Sequence, residues 1–267
     1  MNADLLVPVV RETALVRCNP VAKLAAGAVL AVAVVLSIDV VSAAVMLGLV
    51  VLMLPLTGLD LAMLVKRLWF LPLAALMAGW GTALLSQKTG TVIVDAGPLL
   101  LTSDSLTMGA AVALRALALA LPAVMLIATI DPTDLADSLI QHLRLPATFV
   151  LAALAAARLV TLFIAEWQTL AQARRARGVA GGNVFARVGG FFQTSFALLV
   201  QAIRRGTRLA MAMEGRGFGA QNRTWARIST FHPRDGVLLA GAIIAAAVTI
   251  GAAVAAGTWN FIFTIGS

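Results

Sequence analysis

Residues 145–178 read LPATFVLAALAAARLVTLFIAEWQTLAQARRARG, and the number of membrane crossings turns on them. The first 21 residues are apolar and long enough to span a bilayer. Were they to cross, the block that follows, with eleven arginines from Arg174 to Arg234, would lie on the outer side. Were they not to cross, segments 1–23, 58–67 and 131–235 would be cytoplasmic and would hold 3, 2 and 13 of the 20 Lys+Arg. Only Lys88 would then lie outside, with Arg115 inside a span. Short connecting segments rich in Lys and Arg stay on the cytoplasmic side, and Arg158 in mid-run is costly in lipid. The second arrangement is the expectation: five spans, N-terminus in the cytosol, C-terminus outside, and a large cytoplasmic insert before the last span.

The rest of the chain sets that choice in a membrane. Of 267 residues, 61% are apolar and only 12% charged, about half the charge a soluble domain carries, which excludes a soluble globular enzyme. The opening segment MNADLLVPVVRETALVRCNP lacks the basic start, short apolar core and cleavage site of a signal peptide. Apolar runs occupy about 21–38, 40–57, 68–85, 106–130 and 237–257, each close to the length of a membrane helix. Segment 86–105 reads as a loop with a possible short strand, broken by Gly90, Gly97 and Pro98. The expected fold is therefore an all-α integral membrane protein: spans 1–4 in residues 1–130, a helical cytoplasmic domain in 131–235, and the final span in 236–267. One cysteine, Cys18, and two histidines, His142 and His232, exclude a disulfide framework and a cysteine- or histidine-rich metal site. No catalytic, metal or cofactor residues stand out, and no G-x-x-x-x-G-K-[ST] is present, so the chain itself has no P-loop for ATP.

The insert carries the information. DPTDLADSLIQHL (131–143) opens with Asp131 or Thr133 as N-cap, Pro132 early, and Asp134 and Asp137 near the positive end of the helix dipole. Leu135, Leu139 and Leu143 form an i, i+4 stripe. Leu145-Pro146 ends that helix. A long helix over about 147–177 finishes in Ala176-Arg177-Gly178, with Gly178 placed as a C-terminal stop. After Gly181-Gly182 a second long helix, about 188–216, sets Phe192, Phe196, Leu199 and Ile203 opposite Arg204, Arg205 and Arg208, and finishes in Gly215-Arg216-Gly217. Two helices thus end in small residue–Arg–Gly tips. Arg outnumbers Lys 17 to 3, as suits bidentate, charge-assisted contacts with acidic partners. Spacing alone leaves a plain helix C-cap and a docking contact both open.

Other polar or unusual residues have simpler readings. Arg115 reads either as a substrate contact or, more simply, as a residue that snorkels or pairs with a carboxylate such as Asp104. Asp39 and Asp60 sit at span ends, Pro72 and Pro122 are expected to kink their spans, and His142 reads as a solvated helix-end residue. Met108, Met125, Met211 and Met213 read as packing residues.

The chain resembles the transmembrane T component of energy-coupling factor transporters, the family that includes the cobalt-transport protein CbiQ. The resemblance rests on Asn19-Pro20-Val21-Ala22-Lys23-Leu24 at the entry to the first span, on Thr102–Leu114, on Asp131–Pro146, and above all on the two tips. Ala176-Arg177-Gly178 matches the family signature intact. Gly215-Arg216-Gly217 has Gly where the family usually has Ala, a change costing about 1 kcal/mol at most. The resemblance implies a non-catalytic scaffold in a prokaryotic cell membrane. It would join two ATP-binding-cassette ATPases, a homo- or heterodimer holding ATP and Mg, to a small substrate-binding membrane S component. ATP-driven movement of the tips would then release a vitamin, a vitamin precursor or a metal ion inside. The residues implied at the ATPases are Ala176, Arg177, Gly178, Gly215, Arg216 and Gly217; no nucleic-acid partner is expected.

Three competing readings remain at this point. A membrane enzyme acting on lipid phosphates would use the arginines for phosphate, but such chemistry asks for clustered acids or histidines, and the basic block offers only Glu214 and Asp235. A conventional ABC importer permease would show one coupling loop between spans. A plain membrane anchor would use its arginines for anionic lipid.

Overall fold

A computed structural model describes residues 15–37, 39–57, 69–86, 89, 91–96, 99–178, 184–218, 225 and 227–257. The N-terminal 1–14, Asp60, Lys66, Arg67, Lys88, Gly90, Gly97, Pro98, Gly181, Gly182 and Gly219 lie outside the described residues. Among those described there are eight helices and one small hairpin: α1 (Pro20–Leu36), α2 (Val40–Thr57), α3 (Phe70–Leu85), β1 (Val92–Ala96), β2 (Leu99–Thr102), α4 (Ser103–Thr129), α5 (Pro132–Leu143), α6 (Ala147–Ala176), α7 (Val184–Gly215) and α8 (Pro233–Ala255). The protein is an all-α membrane protein with almost no sheet. By length and composition α4, α6 and α8 could each cross a membrane, and α1, α2 and α3 are shorter apolar helices.

Helix ends follow from local chemistry. Asn19 caps α1 by accepting from the Val21 amide at 2.9 Å, with Pro20 at the first helical position. At the start of α2, Asp39 accepts from the Ser42 amide at 2.9 Å and from the Ser37 and Ser42 hydroxyls. It is buried. Thr102 and Ser105 form a reciprocal capping box on α4. Asp131, not Thr133, caps α5, accepting from the Thr133 amide at 2.7 Å and the Asp134 amide at 3.3 Å.

Several expectations need correcting. Pro72 is the third residue of α3. A first-turn proline gives up an amide that no helical carbonyl needs, so it starts its helix and does not kink it; Pro122 lies inside α4. Segment 92–102 is an antiparallel hairpin, two strands where one was thought possible, with its register shifted between Val92 and Val94. The buried positions of α5 are Ala136, Ser138 and Ile140. Leu143 is exposed, because its inward face is set one position on from the leucine stripe.

The chain divides into two compact units, Met1–Leu135 with Thr230–Ser267, and Ala136–Ser229. In the first, Ala33, Val34, Met46, Val50, Leu54, Ala118, Met125 and Ala246 form one apolar core drawn from α1, α2, α4 and α8. Helix α3 packs on α4 at a glycine pair. A Cβ on Gly79 would stand 2.5 Å from the Gly109 carbonyl oxygen, and one on Gly109 would stand 2.6 Å from that of Gly79. Lipid offers helices no hydrophobic gain on association, so such close backbone approach supplies the van der Waals contact that holds them.

Arg115 departs most from its expected role. Its Nη2 donates to the Val35 carbonyl, 2.6 Å away near the C-terminal end of α1. The guanidinium satisfies one of the carbonyls that a helix end leaves without an amide; it is neither paired with Asp104 nor simply extended to solvent.

Cys18, just ahead of α1, is buried. Burial pushes its thiol up, and the nearby Asp235 carboxylate adds to the shift. Since the thiolate is the reactive form, Cys18 in the folded chain should react with iodoacetamide at pH 7.5 at least tenfold more slowly than in SDS, as mass spectrometry of timed samples would show.

Candidate docking tips on the second unit

The six tip residues lie at the C-terminal ends of α6 and α7. Near the end of α6, Arg174 donates to the Thr194 hydroxyl at 3.2 Å and to the Gln193 side-chain carbonyl at 3.3 Å. Further back, Arg205 of α7 pairs with Glu166 at 2.6 Å and lies 5.9 Å from the centre of the Phe163 ring. The Trp167 and Phe191 rings meet at a tilt of 60°, their centres 5.2 Å apart. The helices therefore run antiparallel through a contact in which cations take part.

Many of their other apolar side chains are left outside it. No residue of α6 is fully buried. On α7, Phe192, Phe196, Leu199 and Ile203 are all exposed, while Arg205, assigned by the sequence to the outer polar side, is turned toward α6. A soluble helix pair would show the reverse. Arg205 follows Glu166 because a half-buried charge needs an opposite charge near it. The exposed Phe, Leu and Ile side chains form the kind of surface that a membrane or a partner covers.

The two tips are built alike. At the end of α6, Arg177 is the C-cap residue, with φ −83° and ψ 3°, and its amide bonds the Ala173 carbonyl at 3.1 Å. Gly178 follows at φ +71°, its amide bonding the Arg175 carbonyl at 3.0 Å. At the end of α7, the Gly217 amide bonds the Glu214 carbonyl at 2.9 Å and the Phe218 amide bonds the Met213 carbonyl at 3.1 Å, with Gly217 at φ +72°. That pair of bonds is a Schellman motif. Each arginine thus precedes a left-handed glycine by one residue. Arg177, Gly178, Arg216 and Gly217 are all exposed, as are Ala176 and Gly215.

Because Cβ is disfavoured at positive φ, replacing either glycine strains the cap. Gly217→Ala is expected to cost about 1 kcal/mol and to re-aim Arg216, and Gly178→Ala to act the same way on Arg177. Thermal unfolding in detergent, followed by tryptophan fluorescence, checks the stability change.

The tips are also far apart. Arg174 touches α7 at the level of Gly190, and the 26 residues from there to Arg216 span about 39 Å at 1.5 Å per residue. No single pocket takes both arginines.

The sequence did not disclose the partners of Arg174 and Arg205, which lie on a different helix; the only signal was that Glu166 is an isolated acid in a basic stretch. On α5, His142 is half-buried, its Nε2 3.2 Å from the Ser229 hydroxyl, and so is not the freely solvated residue expected. Among the described residues no three His, Cys, Asp or Glu side chains gather as metal ligands.

Comparison with known proteins bears on this geometry. The profile of a family described as cobalt transport protein, CbiQ, matches residues 11–225. An energy-coupling factor transporter transmembrane protein EcfT from Lacticaseibacillus paracasei is 30% identical over 167 residues, 59% of this chain and 63% of the relative. The protein of that name from Thermosediminibacter oceani is 34% identical over 145 residues, 51% and 55% of the two chains. The one from Brevibacillus brevis is 26% identical over 241 residues, 85% and 89%. The first two matches span less than two thirds of the relatives' own lengths.

Proposed function

Since the chain belongs to the cobalt transport protein (CbiQ) family, we propose that it is the transmembrane T component of an energy-coupling factor importer. In this reading it is a scaffold without catalytic residues of its own. Two cytoplasmic ATP-binding-cassette ATPases, a homo- or heterodimer, hold the ATP and Mg, and a small membrane S component holds the substrate, a vitamin, vitamin precursor or metal ion. The N-terminus and residues 131–235 face the cytosol of a prokaryotic cell, as the distribution of Lys and Arg favours.

The observation that carries the reading is the pair of matching Arg–Gly caps about 39 Å apart on one helix pair. Two like anchors at that separation suit two copies of one kind of acidic groove, as a dimeric partner presents. Arg177 and Arg216 are the charged anchors, the left-handed Gly178 and Gly217 fix where the arginines point, and Ala176 and Gly215 keep the tips narrow. A guanidinium fork in an acidic groove makes paired, charge-assisted bonds. Movement of the ATPases toward each other on binding ATP would then shift both helix ends, and the exposed apolar faces of α6 and α7 would pass that shift to the S component in the membrane.

The test is co-purification. The tagged chain is expressed with the ABC ATPases of its own genome and extracted in mild detergent. ATPases should co-elute with it, and a small membrane protein with them. A chain that never brings down an ATPase overturns the reading.

A further inference from the structure

Lys23 has a role that neither the tips nor the apolar faces use. It is 1% exposed, and its ammonium donates to the Val16 carbonyl at 3.1 Å and to the Thr129 carbonyl at 2.8 Å. A buried ammonium is expensive, and a methionine would fill the same space at lower cost. What the lysine adds is a bond to a particular carbonyl: Thr129 is the last residue of α4, where the helix dipole is negative and the carbonyls lack amide partners.

Four residues earlier, Asn19 fixes a second segment. Its amide donates to Asp235 Oδ1 at 2.7 Å, and the other carboxylate oxygen, Oδ2, accepts from the His232 amide at 2.8 Å. Asn19 Nδ2 also reaches the Thr230 carbonyl at 3.5 Å. Asp235 is 3% exposed.

These contacts have a common place in the chain. The polypeptide passes from the first unit to the second after Leu135 and returns at Thr230. Lys23 grips the outgoing segment just before α5, and Asn19 with Asp235 grips the returning segment just before α8. On the second unit's side the same two segments are joined to each other. The Ser229 amide donates to the Gln141 side-chain carbonyl at 2.8 Å, Gln141 Nε2 donates to the Arg227 carbonyl at 2.8 Å, and the Ser138 and Ser229 hydroxyls are 3.0 Å apart.

We infer that the first turn of α1, through Lys23 and the Asn19–Asp235 bridge, is a transmission clamp that makes α1, α4 and α8 respond together when the second unit is moved by its ATPases. Lys23 and Asp235 are positioning residues, and the inference rests on the coupling function proposed above. Without the clamp a displacement of α5 and of the segment before α8 would reach α4 and α8 without engaging α1.

The experiment uses the full chain in complex with its co-purified ATPases in lipid nanodiscs. Hydrogen–deuterium exchange is compared with and without ATP plus vanadate, alongside ATP hydrolysis. In the wild type, trapping should change exchange at 126–135 and 228–236 together. Lys23→Met should keep ATPase binding, and hydrolysis within twofold, yet lose at least fivefold of the nucleotide-dependent change. Asp235→Asn keeps the carboxylate's shape and removes one acceptor, so it should show the same loss; it is read in place of Lys23→Met if that variant gives no complex. A wild-type response in either variant overturns the clamp, as does a wild-type complex whose exchange ignores nucleotide. Failure of the wild-type chain to bind any ATPase overturns the coupling function instead.

Discussion

Reversing both tip arginines, Arg177→Glu together with Arg216→Glu, is expected to strip the ATPases from the purified complex, while either reversal alone leaves a weakened complex. Once one tip is seated, the other binds as if at millimolar concentration, so two modest contacts give an avidity 10²–10⁴-fold, roughly, above either alone. Losing one tip forfeits that gain, and losing both leaves nothing to bind. Glutamate in an acidic groove also sets like charges together, at a cost of several kcal/mol or so. Retention of ATPases on a tagged chain, read by quantitative mass spectrometry, should fall in the order wild type, single, double. If the double variant retains ATPases at the wild-type level, the tips are plain helix caps. Binding to anionic lipid, by contrast, would hardly register one altered arginine among seventeen.

The second large effect is expected from Gly79→Leu. Its first side-chain atom alone would stand 2.5 Å from the Gly109 carbonyl oxygen and 2.9 Å from the Ala113 Cβ. Neither neighbour is the flexible end of a side chain, so the two helices would have to separate. Overpacking usually costs about 1–3 kcal/mol, and separation of α3 from α4 adds the loss of their close contact. The variant should run as aggregate in size-exclusion chromatography or unfold many degrees lower. Gly81, two residues on in the same helix, has nothing within 4 Å of its hypothetical Cβ. Gly81→Ala should therefore be neutral or stabilising by up to about 1 kcal/mol. Equal effects at the two positions would refute the packing argument.

What the sequence disclosed, and what it withheld, follows from the range of the interaction concerned. The helix start at Asp131 and the stops at Gly178 and Gly217 depend on residues three or four apart, and they stand where the sequence implied; α4 instead starts at Ser103, capped by Thr102 inside the segment read as a loop. Pro72 departs from its expected role at short range, because a shift of two residues in the start of α3 converts an interior kink into an ordinary first-turn proline. Arg115 departs at long range. Its carbonyl partner at Val35 is 80 residues away, and nothing in the local pattern of α4 points to it. Arg205 was set on a polar face by helical periodicity, which assumes that water lies on that side; the structure puts Glu166 there and leaves the phenylalanines uncovered. Lys23 was visible as part of a motif, but its meaning came only with Thr129 and Asp235, which the fold brings to it.

The outgoing and returning connectors lie side by side, with the Ser138 and Ser229 hydroxyls 3.0 Å apart. An insertion whose ends meet leaves its host almost no loop to close, and so imposes little entropic penalty on it. Residues 136–229 are in this sense a cassette. A recombination at two neighbouring points could replace it as a block, leaving α1 to α4 and α8 with their own sequences.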